Sequence, residues 1–256
     1  MKTTEHRALV TGGASGIGFA IARALASRGN QVVILGRSKA RLDEARRSVP
    51  DLRTVVADVT REDDLRAALD AVRLELGGLS LLVNNAGVMG RYDFGGDDSL
   101  RALEEEVAID LVAPLRLTSL ALPMLFAEPS AAVVNVSSIL AYAGAATYPV
   151  YSAAKAAVHS FSRSLRVRLR DSPVRVFEVL PPWVDTGLTD GLSVQKVTPE
   201  SVATAVVKGM ARDRYEIRVG QTKALYMLSR VSIRRAEDAV QRAAVPREAK
   251  RPTSAA

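Results

Sequence analysis

A tyrosine and a lysine stand four residues apart in Tyr151-Ser152-Ala153-Ala154-Lys155, inside a segment, 149–170, whose apolar residues recur with helical spacing. On a helix, positions i and i+4 share a face, so a phenol and an ammonium lie side by side. A free phenol ionises near pH ~10 and is a poor proton carrier at neutrality. A neighbouring cation favours phenolate and lowers that value. The pair is therefore a candidate proton donor and acceptor. To do chemistry it needs a hydride carrier and a group that holds a carbonyl oxygen. Tyr148 lies one turn earlier, but its i+4 residue is Ser152, so only Tyr151 has a lysine in reach.

The N-terminal stretch supplies a place for the carrier. Ala8-Leu9-Val10 reads as a short buried strand. It runs into Thr11-Gly12-Gly13-Ala14-Ser15-Gly16-Ile17-Gly18 and then a helix with Ile17, Ala20, Ile21, Ala24 and Leu25 on one face, closed by Gly29. Glycines let backbone approach a pyrophosphate, and a helix N-terminus directs N–H groups at it. A second strand, 31–35, ends at Gly36-Arg37-Ser38. A carboxylate there would accept from a free ribose 2′-hydroxyl; an arginine suits a 2′-phosphate. The reading is NADP(H), with NAD(H) as the alternative, and Ser38 opening the next helix.

Further strands follow at 54–57, 81–83, 132–136 and 174–180, with a short edge strand at 217–219. Asp58-Val59 ends the third, and Thr60 with Asp63 resembles a capping box. Asn84-Asn85-Ala86-Gly87 follows the fourth, Ser137-Ser138 the fifth, and Pro181-Pro182-Trp183-Val184-Asp185-Thr186 the sixth. Thr198-Pro199 opens a helix with proline in its first position. The alternation predicts an α/β fold, a single Rossmann-like doubly wound parallel sheet with helices on both faces. We divide it into a catalytic domain, 1–222, and a C-terminal helix with a basic tail, 223–256.

Composition narrows the function. The chain has 256 residues, 48% hydrophobic and only 5% aromatic, which fits one large domain. It has no cysteine, which excludes disulfides and thiolate chemistry, and two histidines, His6 and His159, which argues against a metal site. The net charge of +7 is concentrated at one end: from Arg212 onward there are 11 Lys and Arg against 5 Asp and Glu. This argues for a solvated basic end and against a nucleic-acid partner. The N-terminus lacks a signal-peptide core, and the best apolar run, 115–126, is short for a bilayer and contains Pro123. A cytoplasmic protein is expected. A stripe at 225–240 mixes Tyr226, Leu228, Val231 and Ile233 with Arg230, Arg234 and Arg235; packing on the body or a second subunit is favoured over a membrane surface.

The glycine loop, Asp58-Val59, Asn84-Asn85-Ala86-Gly87, Ser138 and Tyr151-x-x-x-Lys155 occur in one order, with Ser138 thirteen residues before Tyr151. Together they resemble the short-chain dehydrogenase/reductase family over about residues 7–219. The stretches 113–118, 181–184 and 219–221 resemble a subgroup associated with D-alanylation of teichoic acids. The resemblance implies that Gly12, Ser15, Gly16, Ile17 and Gly18 hold the pyrophosphate and Arg37 the 2′-phosphate. It assigns Asp58 and Val59 to the adenine, and Asn85, Ala86 and Gly87 to the adenosine ribose and central sheet. Val184 and Thr186 fall at the nicotinamide carboxamide. Tyr151 matches the acid–base residue, Lys155 its partner and holder of the nicotinamide ribose, and Ser138 the hydroxyl that polarises the substrate carbonyl. The implied reaction is hydride transfer between nicotinamide and a ketone or secondary alcohol, in a homodimer or homotetramer.

Two positions depart from the family. Asp110 stands where an asparagine is usual, placing a carboxylate near Lys155 that would hold the ammonium charged. Pro182 replaces a glycine beside Trp183. Tyr142 and Tyr148, with Met89 and Leu188, are expected to form a partly apolar substrate pocket, with the indole either over the substrate or packed in the core. A non-catalytic dinucleotide sensor on the same scaffold is the competing reading.

Overall fold

The computed structural model describes residues 1–92 and 99–244. Seven parallel strands form one sheet in the order β3-β2-β1-β4-β5-β6-β7. They are β1 (Arg7–Thr11), β2 (Gln31–Gly36), β3 (Leu52–Val56), β4 (Leu81–Asn84), β5 (Ala131–Val136), β6 (Val174–Leu180) and β7 (Glu216–Arg218). Successive side chains point to opposite faces, and both faces are covered. Val10, Ile34, Val83, Val134 and Phe177 lie in one core layer, and Leu9, Val33, Leu82, Val133 and Val176 in the other. That two-sided burial is why the strands read as unbroken apolar runs.

Helices α1 (Gly16–Ala26) and α7 (Pro199–Ala211) pack together on the first face, beyond α2 (Lys39–Ser48). The second face carries α3 (Glu62–Leu76) and a run of α4 (Ser99–Val107), a π-helical turn (Ala108–Val112) and α5 (Ala113–Phe126), then α6 (Pro149–Arg168). From Leu100 to Phe126 that run is one helix of 27 residues, long and apolar enough to cross a membrane. This corrects the expectation of a short apolar run. Its Ile109, Ala113, Leu117, Ala121 and Leu125 belong to the second core layer, so here it is a core helix.

Strand order reverses beside β1, which pairs with β2 on one side and β4 on the other. The carboxyl ends of strands at such a switch point open into a crevice. The loops there are tied together by Thr11. Its hydroxyl accepts from the backbone N–H of Asn85 (2.9 Å) and Ala86 (3.0 Å). The Asn85 amide donates to the carbonyls of Thr11 (3.0 Å) and Gly12 (3.3 Å).

Thr60 does not cap α3, contrary to the capping-box reading. The helix starts at Glu62, and the Thr60 hydroxyl turns back to Asp58 Oδ1 at 2.8 Å. Glu62, Asp63 and Asp64 fill the first turn, where carboxylates suit the positive end of the helix dipole. Thr198 does cap α7, accepting from the Ser201 N–H.

Beyond β7, α8 (Thr222–Val231) and α9 (Ile233–Ala244) close the described chain. Leu225, Ala236, Val240 and Ala244 join a third apolar cluster with Ile139, Leu140, Tyr148, Tyr151, Trp183 and Leu192. The Gln241 amide donates to Gly144 O and accepts from Ala146 N, each at 3.0 Å. The stripe at 225–240 is therefore divided: one side packs on the body and the other faces solvent. The rest of the tail, 245–256, lies outside the described residues.

A side chain at Gly18 would place its Cβ 2.3 Å from Gly12 O and 2.4 Å from Asn85 Nδ2. The glycine loop and the β4 loop would have to separate. Gly18→Ala should lower stability by about 1–3 kcal/mol, read as a reduced urea midpoint with an unchanged slope.

Candidate active site

The crevice is a cleft in two connected parts. The larger, about 380 Å³, is lined by Gly12, Ser15, Gly16, Ile17, Asn85, Ala86, Gly87, Ser138, Tyr151, Lys155, Val184 and Thr186. The other, about 290 Å³, reaches past Gly12 and Ser15 to Arg37, Ser38, Arg41, Asp58 and Val59. The sequence-predicted cofactor residues other than Gly18 thus border one continuous groove, at the carboxyl ends of β1 to β6; Gly18 packs behind it against Gly12 and Asn85.

The groove fits a dinucleotide. Gly12 and Gly16 have φ of +62° and +54°, where a side chain would be strained. Ser15 stands at the N-cap of α1 without a side-chain capping bond, leaving its hydroxyl for a ligand. At the far end, burial pulls the Asp58 carboxyl up. The hydrogen bonds from Thr60 and the charges of Arg37 and Arg61 outweigh it, and Asp58 stays below the usual carboxylate value. Arg37 is exposed and 3.4 Å from Glu105, a pair worth little in solvent. Arg41, which the sequence reading missed, borders both parts of the groove. Ser38 caps α2 by accepting from the Arg41 N–H, a spacing that could have revealed it.

Near the other end, α6 presents Tyr151 and Lys155, both buried. Lys155 Nζ lies 5.3 Å from the Tyr151 ring centroid. Ser138 lies two residues past β5 and caps a short 3-10 turn by accepting from the Leu140 N–H, and its hydroxyl acts on the Tyr151 phenol, drawing its value down. Ser137 also borders the cleft, and its hydroxyl donates to the Lys155 carbonyl. The π turn inserts Asp110, whose Oδ1 is 2.8 Å from Lys155 Nζ and whose Oδ2 accepts from Val88 N. Pro114 has no N–H to offer the carbonyl of Asp110, four residues earlier, a physical reason for the π geometry at this point. Gly87 leaves the room: its Cβ would lie 2.7 Å from Asp110 Oδ1.

These charges set the titration. Burial raises the Tyr151 phenol; Lys155 and the Ser138 hydrogen bond oppose it, Asp110 adds to it, and the net is upward. Lys155 does lower the phenol, as the sequence suggests, but burial outweighs it. Burial lowers Lys155, but Asp110 outweighs it and the ammonium is held. A second carboxyl, Glu106, also went unread in the sequence. It is 1% exposed. Its Oε2 accepts from Gly90 N and the Tyr92 hydroxyl, and its Oε1 has no partner among the described residues. Burial raises it, with Asp110 adding.

The substrate end is lined by Met89, Ile139, Leu140, Trp183 and Leu188. Trp183 is both packed in the third cluster and a wall of the cleft. Tyr142 and Tyr148 are not in that wall. Tyr148 receives the Arg91 guanidinium at 3.2 Å. Tyr142 packs on His159 and Tyr226, accepts from Arg218 at 3.0 Å, and is pushed by burial up to about 12. Tyr142 lies nine residues before Tyr151, on the far side of the 3-10 turn, and sequence spacing does not show which way that turn faces. No cluster of three metal-ligating side chains occurs among the described residues.

Known proteins resemble this chain in sequence and fold. The family model for short chain dehydrogenases matches residues 6–209. An uncharacterized oxidoreductase of Bacillus subtilis, DltE, is 40% identical over 85% of this chain and 89% of its own. One from Staphylococcus saprophyticus is 32% identical over 78% and 88%. A solved Burkholderia cenocepacia short chain dehydrogenase in complex with NADP superposes with a TM-score of 0.81 at 25% identity, covering 96% of this chain and all of that one. One from Burkholderia phymatum in complex with NAD, at 21% identity, shares the fold with a TM-score of 0.79. The chain belongs to the short-chain dehydrogenase family, in the DltE-like subgroup. It is an NAD(P)-dependent oxidoreductase of CH–OH and C=O groups.

Glu106 offers a test independent of turnover. Its folded value is raised, so its contribution to stability is fully present below the ordinary glutamate value and is lost as pH rises through the raised one. Glu106→Gln, which cannot ionise, should gain stability relative to the unsubstituted protein as pH rises above the ordinary glutamate value. Urea midpoints across that range check it; a constant difference would contradict a raised Glu106.

Proposed function

We propose that this protein is an NADP(H)-dependent oxidoreductase that interconverts a ketone and a secondary alcohol, with Tyr151 moving the proton. The observation that carries the proposal is the convergence of Ser138, Tyr151 and Lys155 on the one cleft that also receives the glycine loop. The nicotinamide, when bound, supplies or accepts the hydride. In reduction, the Tyr151 hydroxyl gives its proton to the substrate oxygen and becomes phenolate. Ser138 donates a hydrogen bond to the same oxygen as it gains charge. Lys155, kept as ammonium by Asp110, stabilises the phenolate. In oxidation the phenolate takes the alcohol proton back.

The preference for NADP(H) rests on Arg37, just past β2, and Arg41, in the first turn of α2, with no acid in residues 36–41. Apolar groups around the substrate end favour an uncharged carbonyl compound. In this reading, residues 1–222 are the catalytic domain and 223–256 an appended segment. Exposed Val112, Phe126 and Val167 on the helices flanking β5 suit a homodimer or homotetramer. The proposed setting is the cytoplasm.

Calorimetric titration should show NADPH binding more tightly than NADH. Arg37→Ala/Arg41→Ala should remove about tenfold or more of that preference, the scale of a lost charge-assisted hydrogen bond. Equal affinity in the unsubstituted protein would overturn the 2′-phosphate reading. With a substrate from an NADPH-dependent carbonyl screen, Tyr151→Phe should abolish turnover while dinucleotide still binds.

Asp110 raises the Tyr151 phenol, so Asp110→Asn should let it ionise at lower pH. Alcohol oxidation uses the phenolate, and its rising limb should move to lower pH. An unchanged profile would remove Asp110 from the mechanism.

A further inference from the structure

We infer that the elbow between α8 and α9 is a docking surface for an anionic lipid bilayer. Three large apolar side chains stand in solvent there: Met227, Val231 and Ile233, with exposures of 57%, 81% and 48%. Met227 and Val231 are one turn apart on the outer face of α8, and Ile233 opens α9 just past the elbow. Exposed Lys223 and Arg230 border this stripe on α8, and exposed Arg234 and Arg235 on α9. Helix α8 contains no acidic residue; Glu237 and Asp238 come later on α9.

The opposite faces of both helices already have their partners. Leu225, Ala236, Val240 and Ala244 are buried in the third apolar cluster, so the outer residues are not waiting to fold onto the body. The Arg218 guanidinium lies 3.8 Å over the Tyr226 ring, and Gln241 grips the backbone at Gly144 and Ala146. The outward face is therefore presented by a fixed pair of helices.

Charge and apolarity together select the occupant. A second copy docked about a twofold axis would set the same basic residues against themselves. Nucleic acid would reward the arginines and lysine through its phosphates but leave the apolar stripe without a partner. An anionic bilayer answers both: apolar side chains enter the headgroup–acyl boundary while basic ones meet the lipid charges.

The test is sedimentation of the full chain with phosphatidylcholine vesicles, with and without about one-third phosphatidylglycerol. Binding should require the anionic lipid and weaken as salt screens it. Two variants, Arg230→Glu/Arg234→Glu/Arg235→Glu and Met227→Ser/Val231→Ser, should each lose about tenfold or more in affinity while keeping the unsubstituted melting temperature. The unsubstituted chain's salt and lipid dependence stands even where a variant fails to fold. Absence of binding to anionic vesicles, equal binding to neutral ones, or retention of binding by either folded variant overturns the proposal. Loss of a concentration-dependent self-association in both variants, without vesicle binding, assigns the surface to a second copy instead.

Discussion

Lys155 and Asp110 stand 2.8 Å apart in a place almost closed to water. Removing two charges from solvent costs several kcal/mol for each ion unless the pair is well oriented and its remaining valences are met. Three separate parts of the chain assemble the pair. Helix α6 brings Lys155 and aims it also at the Val136 carbonyl. The π turn between α4 and α5 brings Asp110. The loop after β4 supplies the Val88 N–H for the second carboxylate oxygen and, at Gly87, the absence of a side chain. The site thus depends on the register of β4 and β5 and on one irregular turn in a long core helix.

The pair governs Tyr151 by division of labour. A lone lysine beside a buried phenol would favour phenolate. Burial is the largest force raising the Tyr151 phenol; Lys155 opposes it, and Asp110 offsets part of that opposition while holding the lysine charged. The phenol is thereby kept protonated, the form needed to give a proton to a carbonyl oxygen. Glu106, four residues before Asp110, adds negative potential in the same direction.

Much of this was legible in the sequence because it depends on local spacing. Tyr151 and Lys155 share a helix face by arithmetic, and strands buried on both sides must be apolar throughout. The glycine loop was readable because few other residues could take its backbone angles. What failed depended on long-range contacts. Thr60 looked like a helix cap, but Asp58 captures its hydroxyl. Tyr142 sits close to Tyr151 in sequence, yet it turns to His159, Tyr226 and Arg218. The apolar run 115–126 looked too short for a bilayer because the helix continuing back through the π turn was not counted. The direction of the Tyr151 shift required knowing the depth of its burial and that Asp110 actually meets Lys155.

The C-terminal helices join the two ends of the account. Their inner faces back Trp183 and the substrate end of the cleft, and their outer faces carry the basic and apolar elbow. At the centre remains the claim that burial and Asp110 together hold Tyr151 as a neutral phenol. Ultraviolet difference titration of the ligand-free protein against Tyr151→Phe isolates that one ionisation. The account predicts a phenolate appearing above the ordinary value of about 10, and a lower value in Asp110→Asn. A Tyr151 that ionises at or below the ordinary value while Lys155 and Asp110 are intact would contradict it.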